Sequence, residues 1–223
     1  MRRPQAGKDC PEGLEFLQDL DLLVVKQKVH YGEGKIRLEE NNEYDIYNKD
    51  GEKVYTAIET TDRVQRVCCS SQRGYTIRVL DEKGKEVMRI KRPFLWLGGY
   101  YCIDYCAKYA YESFSEAPVG KPIGSVRQQK GCCLTQVVVR DPKGDDKYLI
   151  SEKATEMAFE IVDINMKPVG HIRKKWAGIV QEFLSDADNF SVTFPREMDV
   201  NMKAMMIGAT FLVDFMAYED NSL

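Results

Sequence analysis

A two-armed unit repeats along this chain and restricts it to a β architecture. Tyr44-Asp-Ile-Tyr-Asn-Lys-Asp-Gly51-Glu-Lys-Val54-Tyr has an arm rich in β-formers, an Asp-Gly turn and a second arm. Tyr75 to Ile90 repeats it around Asp81-Glu82-Lys83-Gly84. Val137 to Ile150 does so around Asp141-Pro142-Lys143-Gly144-Asp145, and Phe159 to Ile172 around Asn165-Met166-Lys167-Pro168. A looser copy runs from Tyr109 to Val126 and bends at Pro118-Val119-Gly120-Lys121-Pro122. Within the arms apolar and polar residues alternate, as in Lys35-Ile36-Arg37-Leu38-Glu39 and Tyr75-Thr76-Ile77-Arg78-Val79. Asp, Asn, Gly and Pro supply the positive or fixed φ of tight turns, so each unit predicts a β-hairpin with its turn in solvent. Roughly ten to twelve strands follow, and closing into a barrel is the way a meander of that length loses its edges.

A chain of 223 residues fits one such barrel as a single domain. With 32 Lys+Arg against 35 Asp+Glu the net charge is −3 and the pI about 5.6, which excludes nucleic-acid binding through a broad basic surface and leaves only a local patch for it. Charged residues at 30% and a mean hydropathy of −0.42 exclude a polytopic membrane protein and a largely disordered chain. Residues 1–13 read as a flexible leader with no apolar run after Arg2 and Arg3, so synthesis in the cytosol is expected. Leu14 to Val25 opens as a short helical turn and runs into the first strand; the domain spans 14–219 and a tail 220–223. The 7 cysteines include the vicinal pairs Cys68-Cys69 and Cys132-Cys133, which fit reduced thiols, and neither His30 nor His171 stands at a zinc-site spacing from them. No nucleophile elbow or phosphate loop is present, so covalent enzymology is not expected.

The end of the chain breaks the pattern. After Pro195, residues 199–218 are rich in Met, Ala and Leu, and Asp199 is placed to cap a helix. The helix is apolar almost all round, which means burial in a core or in a bilayer. From Lys203 to Asp214, across the uncharged stretch Ala204 to Val213, the helix rises about 16 Å, half of the roughly 30 Å of bilayer hydrocarbon. Lys203, Ile207, Thr210 and Asp214 share one stripe, so their polar groups are expected to meet barrel groups or water while Met202, Met205, Ala209, Leu212 and Met216 pack. The helix is therefore expected to thread the barrel, and the chain to be soluble without detergent.

Asp186-Ala-Asp-Asn-Phe190-Ser-Val-Thr-Phe194-Pro195, followed by Asp199-Val-Asn-Met-Lys203 and the apolar run to Met216, resembles the calcium-binding segment and C-terminal helix of the phospholipid scramblases. Gly13-Leu-Glu-Phe-Leu, Glu43-Tyr-Asp-Ile, Tyr75-Thr-Ile-Arg-Val, Pro118-Val-Gly-Lys-Pro-Ile-Gly and Trp176-Ala-Gly-Ile resemble family landmarks in the same order. The resemblance implies a Tubby-like fold, a mainly β closed antiparallel barrel of about twelve strands around a central C-terminal helix. It also implies calcium-activated, ATP-independent movement of phospholipids between leaflets, with phospholipids and an anionic membrane surface as partners; the few side-chain ligands of residues 186–197 imply that Ca2+ is bound weakly. The family's palmitoylated cysteine run falls where this sequence reads Tyr101-Cys102-Ile-Asp-Tyr-Cys106, making Cys102 and Cys106 the lipidation candidates at the cytosolic face of the plasma membrane. The family's nuclear-import signal falls near Arg173, so the resemblance extends the expected locations to cytoplasm and nucleus.

Each site has two readings. Residues 186–197 have the length of an EF-hand loop, with Asp186, Asp188 and Glu197 at its first, third and twelfth positions and Asn189 beside them, but Ser191 stands where an EF-hand requires Gly. The alternative is a polar turn before a strand that sends Phe190, Val192 and Phe194 into the core. Trp96, Tyr100 and Tyr101 lie in the densest aromatic stretch, whose rings suit either the membrane interface or a barrel end. Arg173, Lys174 and Lys175 either meet anionic headgroups or form a solvated strand face. The rival function is a soluble barrel that binds membranes or proteins and moves no lipid; protein partners and self-association stay open.

Overall fold

The computed structural model describes residues 4, 7, 10–28, 42–62, 73–94, 112–129, 135–153, 158–174 and 189–217. Its strands are β1 (Leu22–Gln27), β2 (Glu43–Tyr47), β3 (Lys53–Thr60), β4 (Tyr75–Leu80), β5 (Glu86–Arg92), β6 (Glu112–Glu116), β7 (Pro122–Gln129), β8 (Gln136–Arg140), β9 (Asp146–Glu152), β10 (Ala158–Asp163), β11 (Pro168–Lys174) and β12 (Asn189–Thr193). Each pairs antiparallel with its neighbour in sequence, and β1 pairs with β12 from Leu22↔Thr193 to Lys26↔Asn189, closing the barrel. Closure leaves no edge strand in this sheet, as the long meander requires. A 3₁₀ turn (Glu15–Asp19) precedes β1, and the helix α1 (Val200–Ala217) follows β12 within one residue of each predicted end.

Four of the five hairpins share one turn, and the reason is local chemistry. Asn48, Asp81, Asp141 and Asp163 each open a turn in which the side-chain Oδ1 accepts the backbone N–H groups two and four residues on, at 2.8–3.0 Å. The fourth turn residue has positive φ: Gly51 at 76°, Gly84 at 77°, Gly144 at 89° and Met166 at 60°. Pairing shifts by one residue beside each turn, as a bulge in this type of loop demands. The β10–β11 turn opens at Asp163, two residues before the Asn165 expected from sequence, because the Asp163 carboxylate captures the turn amides.

All five hairpin turns lie at one rim of the barrel, together with the 3₁₀ turn and the start of α1; the helix ends toward the opposite rim. Alternation along the strands sends Leu23, Val25, Tyr44, Ile46, Ile77, Val79, Ile90, Val137, Val139, Phe159, Ile161 and Val192 inward, where they surround α1. Tyr44 meets Phe211 edge-on at 4.9 Å, and Tyr75 stacks on Phe215 at 4.3 Å. The helix backbone comes nearest β6 and β7, where small residues admit it: a Cβ on Gly208 would lie 3.1 Å from the Ser115 Oγ, and one on Gly124 would lie 3.2 Å from the Met205 Sδ.

Candidate functional site

The helix carries a buried charge near each end, Lys203 and Asp214. At the hairpin rim the Asp199 Oδ1 accepts the N–H groups of Asn201 and Met202 at 2.9 and 3.3 Å, the predicted cap. Lys203, one turn on, is fully buried. Its ammonium donates to the carbonyls of Leu17, Gln18, Leu20 and Arg196 at 3.0, 2.9, 2.8 and 2.7 Å, and lies 5.6 Å from the centre of the Phe194 ring. Burial pushes its pKa down, opposed mainly by Asp19 and Asp21. The 3₁₀ turn is thus tied to the helix it covers. Gly13 fits that cover against the barrel, for its φ is 98° and a Cβ there would lie 2.1 Å from the Val87 Cγ1. Its carbonyl accepts the Tyr55 hydroxyl at 3.0 Å.

The expected polar stripe is only partly met by the barrel. Lys203 is satisfied by groups outside the helix, but the Thr210 hydroxyl donates to the Met206 carbonyl of its own helix at 2.8 Å. Ile207 is fully buried and Asp214 is 5% exposed, beside Phe215, whose ring lies 4.5 Å from the Arg73 guanidinium. The helix is consequently enclosed on every side rather than along one face. Among the described residues no helix is long and apolar enough to cross a membrane.

Toward the opposite rim, Glu59 is fully buried, and its carboxylate accepts the Asn42 amide at 2.7 Å, the Thr61 hydroxyl at 2.5 Å and the Arg73 guanidinium at 3.3 Å. Arg92, 3% exposed, lies 5.8 Å from the Tyr75 ring. Sequence reasoning missed these buried ionic groups, since a charge on a strand reads as outward unless the alternation is followed strictly: Glu59 keeps phase with Tyr55 and Ala57, and Arg92 with Ile90.

The proposed calcium ligands divide. Asn189 begins β12 at the opposite rim, and its buried Oδ1 has no hydrogen-bond partner among the described residues. Glu197 follows the strand at the hairpin rim, and the four steps from Asn189 to Thr193 alone separate the ends of β12 by about 13 Å. Ligands of one Ca2+ lie about 2.3–2.6 Å from it, so Asn189 and Glu197 do not share an ion and residues 189–197 do not wrap one as an EF-hand loop does. Phe190, Val192 and Phe194 are 2%, 0% and 3% exposed, the pattern of the strand alternative. Asp186 and Asp188 lie outside the described residues, as do Trp96, Tyr100, Tyr101, Cys102, Cys106 and Lys175. Among the described residues no group of three or more His, Cys, Asp and Glu is placed to hold a metal.

Of the basic cluster, Ile172 is buried while Arg173 and Lys174 are half-buried on β11. The Lys174 ammonium lies 5.6 Å from the centre of the ring of its cross-strand partner Phe190, on the face that Ile172 turns inward.

These features define a class: a closed up-and-down barrel filled by its own C-terminal helix, with a buried cation fastening one mouth. Comparison with known proteins takes this further. A family model described as Scramblase matches residues 1–220. The chain is 37% identical to phospholipid scramblase 1 of Rattus norvegicus over 98% of its own length and 66% of that protein's. It is 38% identical to phospholipid scramblase 1 of Homo sapiens over 98% of this chain and 70% of that one, and 37% identical to human phospholipid scramblase 2 over 98% and 74%. A solved protein of Arabidopsis thaliana covers 88% of this chain and 94% of its own at 13% identity and a TM-score of 0.49. The chain belongs to the scramblase family. It spans about two thirds of the length of the mammalian relatives it matches.

Proposed function

We propose that the chain moves phospholipids in both directions between membrane leaflets, activated by Ca2+ and without ATP, from the cytosolic face of the plasma membrane. The observation that carries this is the whole-chain family match, with relatives named phospholipid scramblases. The physical task is to lower the cost of taking a charged headgroup through about 30 Å of hydrocarbon, by offering polar groups along a path or by thinning the bilayer. It is a translocation with no covalent step. Asp186, Asp188 and Asn189 are the residues that would hold calcium: all three offer hard oxygens, and the orphaned Asn189 Oδ1 suits such an ion. Glu197 does not belong to the set. When bound, Ca2+ would supply positive charge beside β12. Cys102 and Cys106 would carry acyl chains, and Arg173, Lys174 and Lys175 would meet anionic headgroups at about 1 kcal/mol each. Without acylation the chain would reside in the cytoplasm and nucleus.

A second reading is favoured by one observation: α1 is enclosed in the barrel and offers the bilayer no apolar face in this state. On that reading the protein is an interaction module at the membrane surface. Reconstitution in liposomes with labelled inner- and outer-leaflet lipid, with and without calcium, separates the two. Calcium-dependent loss of asymmetry is the expected result; membrane binding without it would establish the module.

A further inference from the structure

The β10–β11 turn departs from its three siblings. Those read Asn48-Lys-Asp-Gly51-Glu, Asp81-Glu-Lys-Gly84-Lys and Asp141-Pro-Lys-Gly144-Asp, whereas this one reads Asp163-Ile164-Asn165-Met166-Lys167. The same backbone needs positive φ at the fourth position, and Met166 adopts it at 60°, a conformation that strains an L side chain and that Gly takes freely. Ile164 and Met166 are 71% and 65% exposed, the most exposed large apolar side chains among the described residues. The turn gives up local stability to hold both of them in water, and neither adds to the core. Strain kept where packing does not require it points to contact with another molecule.

Ile164 borders a cleft of about 540 Å³ between the β6–β7, β8–β9 and β10–β11 turns and the first turn of α1. Ile123, Pro142, Tyr148 and Met202 give it an apolar lining, and Asp141, Asp163 and Asp199 supply carboxylates. Lys121 and Lys147 also line it, but Lys147 is drawn to Asp141 at 3.1 Å and Asp145 at 4.0 Å. Burial first, and then the charges of Asp199 and Asp163, push the Tyr148 phenol above its ordinary pKa, so these carboxylates act on the cleft interior.

We propose that Ile164, Met166 and this cleft form a docking surface for a protein segment that carries an apolar side chain flanked by lysine or arginine. The apolar group fills the cleft against Ile123 and Met202, and the cations meet the carboxylates of Asp163 and Asp199. An anionic lipid surface fits less well, because the same carboxylates repel it. A second copy would set like charges against each other at this rim. The surface stands independently of lipid movement.

The test uses the double variant I164K/M166G, which restores the glycine that all three siblings carry at the fourth position and a charge at the second, as in two of them. Binding is read as the anisotropy of a short fluorescein-labelled peptide with a Leu-Leu pair between arginines, and of its counterpart with glutamates. The protein is expected to bind the arginine peptide at least about tenfold more tightly than the glutamate peptide. The variant should lose at least about tenfold of that affinity while melting at a higher temperature than the parent. Equal binding by parent and variant, equal binding of both peptides, no binding of either, or a variant that melts lower would each overturn the proposal. So would co-sedimentation with phosphatidylcholine vesicles, or self-association in sedimentation velocity, that the variant abolishes, for the surface would then belong to lipid or to a second copy.

Discussion

Replacing Lys203 by Met tests whether the buried cation fastens the 3₁₀ turn over the barrel mouth. The methionine fills nearly the same volume, so what changes is the set of donors to the carbonyls of Leu17, Gln18, Leu20 and Arg196. Charge-assisted bonds contribute about 1.5–3 kcal/mol each, but removing the ammonium also recovers its desolvation cost of several kcal/mol. The loss is therefore set by the carbonyls left behind. Those of Gln18 and Arg196 are partly exposed in their bonds and can turn to water, and the Leu17 carbonyl keeps the Leu20 N–H at 3.3 Å. The Leu20 carbonyl loses a bond inside the core, and the cover loses its anchor to α1. A net cost of about 2–4 kcal/mol follows. For a chain of this size that lowers Tm by about 5–12 °C. Hydrogen exchange should accelerate most at the amides of Leu17 and Leu20, ahead of the β-sheet. A linkage effect adds a second readout. Burial lowers the Lys203 pKa, so the folded state holds this proton less firmly than the unfolded one, and wild-type stability gains as pH rises from the lowered value toward the ordinary one. Met has no such gain, so the wild-type advantage should widen as pH rises toward the ordinary lysine range near about 10. An unchanged Tm, or a fall in Tm with Leu17 and Leu20 protected as before, would refute the anchoring role.

Met166→Gly alone should raise stability by about 0.5–1 kcal/mol, seen as a Tm about 2–4 °C higher, because glycine relieves the positive φ without loss of a core contact. Gly170→Ala should cost more than about 2 kcal/mol in denaturant unfolding, since a Cβ there would lie 2.0 Å from the Thr193 carbonyl oxygen and force β11 off β12. Glu86→Gln tests an acid-sensitive contact. The Arg89 guanidinium, with help from Arg78, holds the Glu86 carboxyl below its ordinary range, so its contribution is present near neutral pH and is lost as pH falls through that range. The variant should start less stable and lose less between about pH 6 and pH 3 in parallel melts. Asp186→Ala with Asp188→Ala should weaken calcium binding at least about tenfold in terbium luminescence with the melt unchanged, whereas Glu197→Ala should leave the binding as it was.

The hairpins were legible because their causes are local. An Asp or Asn side chain that captures amides two and four residues away, a positive φ at a fixed place and alternating arms all lie within a dozen residues, and each constrains only its neighbours. The C-terminal helix was legible for the same reason, from its cap at Asp199 and its apolar run. What the Lys203 ammonium binds was not, because three of its four acceptors lie 183 to 186 residues away on a turn whose side chains give no hint of their carbonyls. Residues 186–197 offered a loop of oxygen donors and a strand of alternating aromatics on the same stretch of sequence. Burial of Phe190, Val192 and Phe194 decided between them, since three large apolar side chains inside the barrel outweigh a ligand spacing with no glycine to turn it. Closure itself rests on Leu22 meeting Thr193 across nearly the whole chain, a pairing that no local propensity specifies and that the need to cover two edges and one apolar helix imposes.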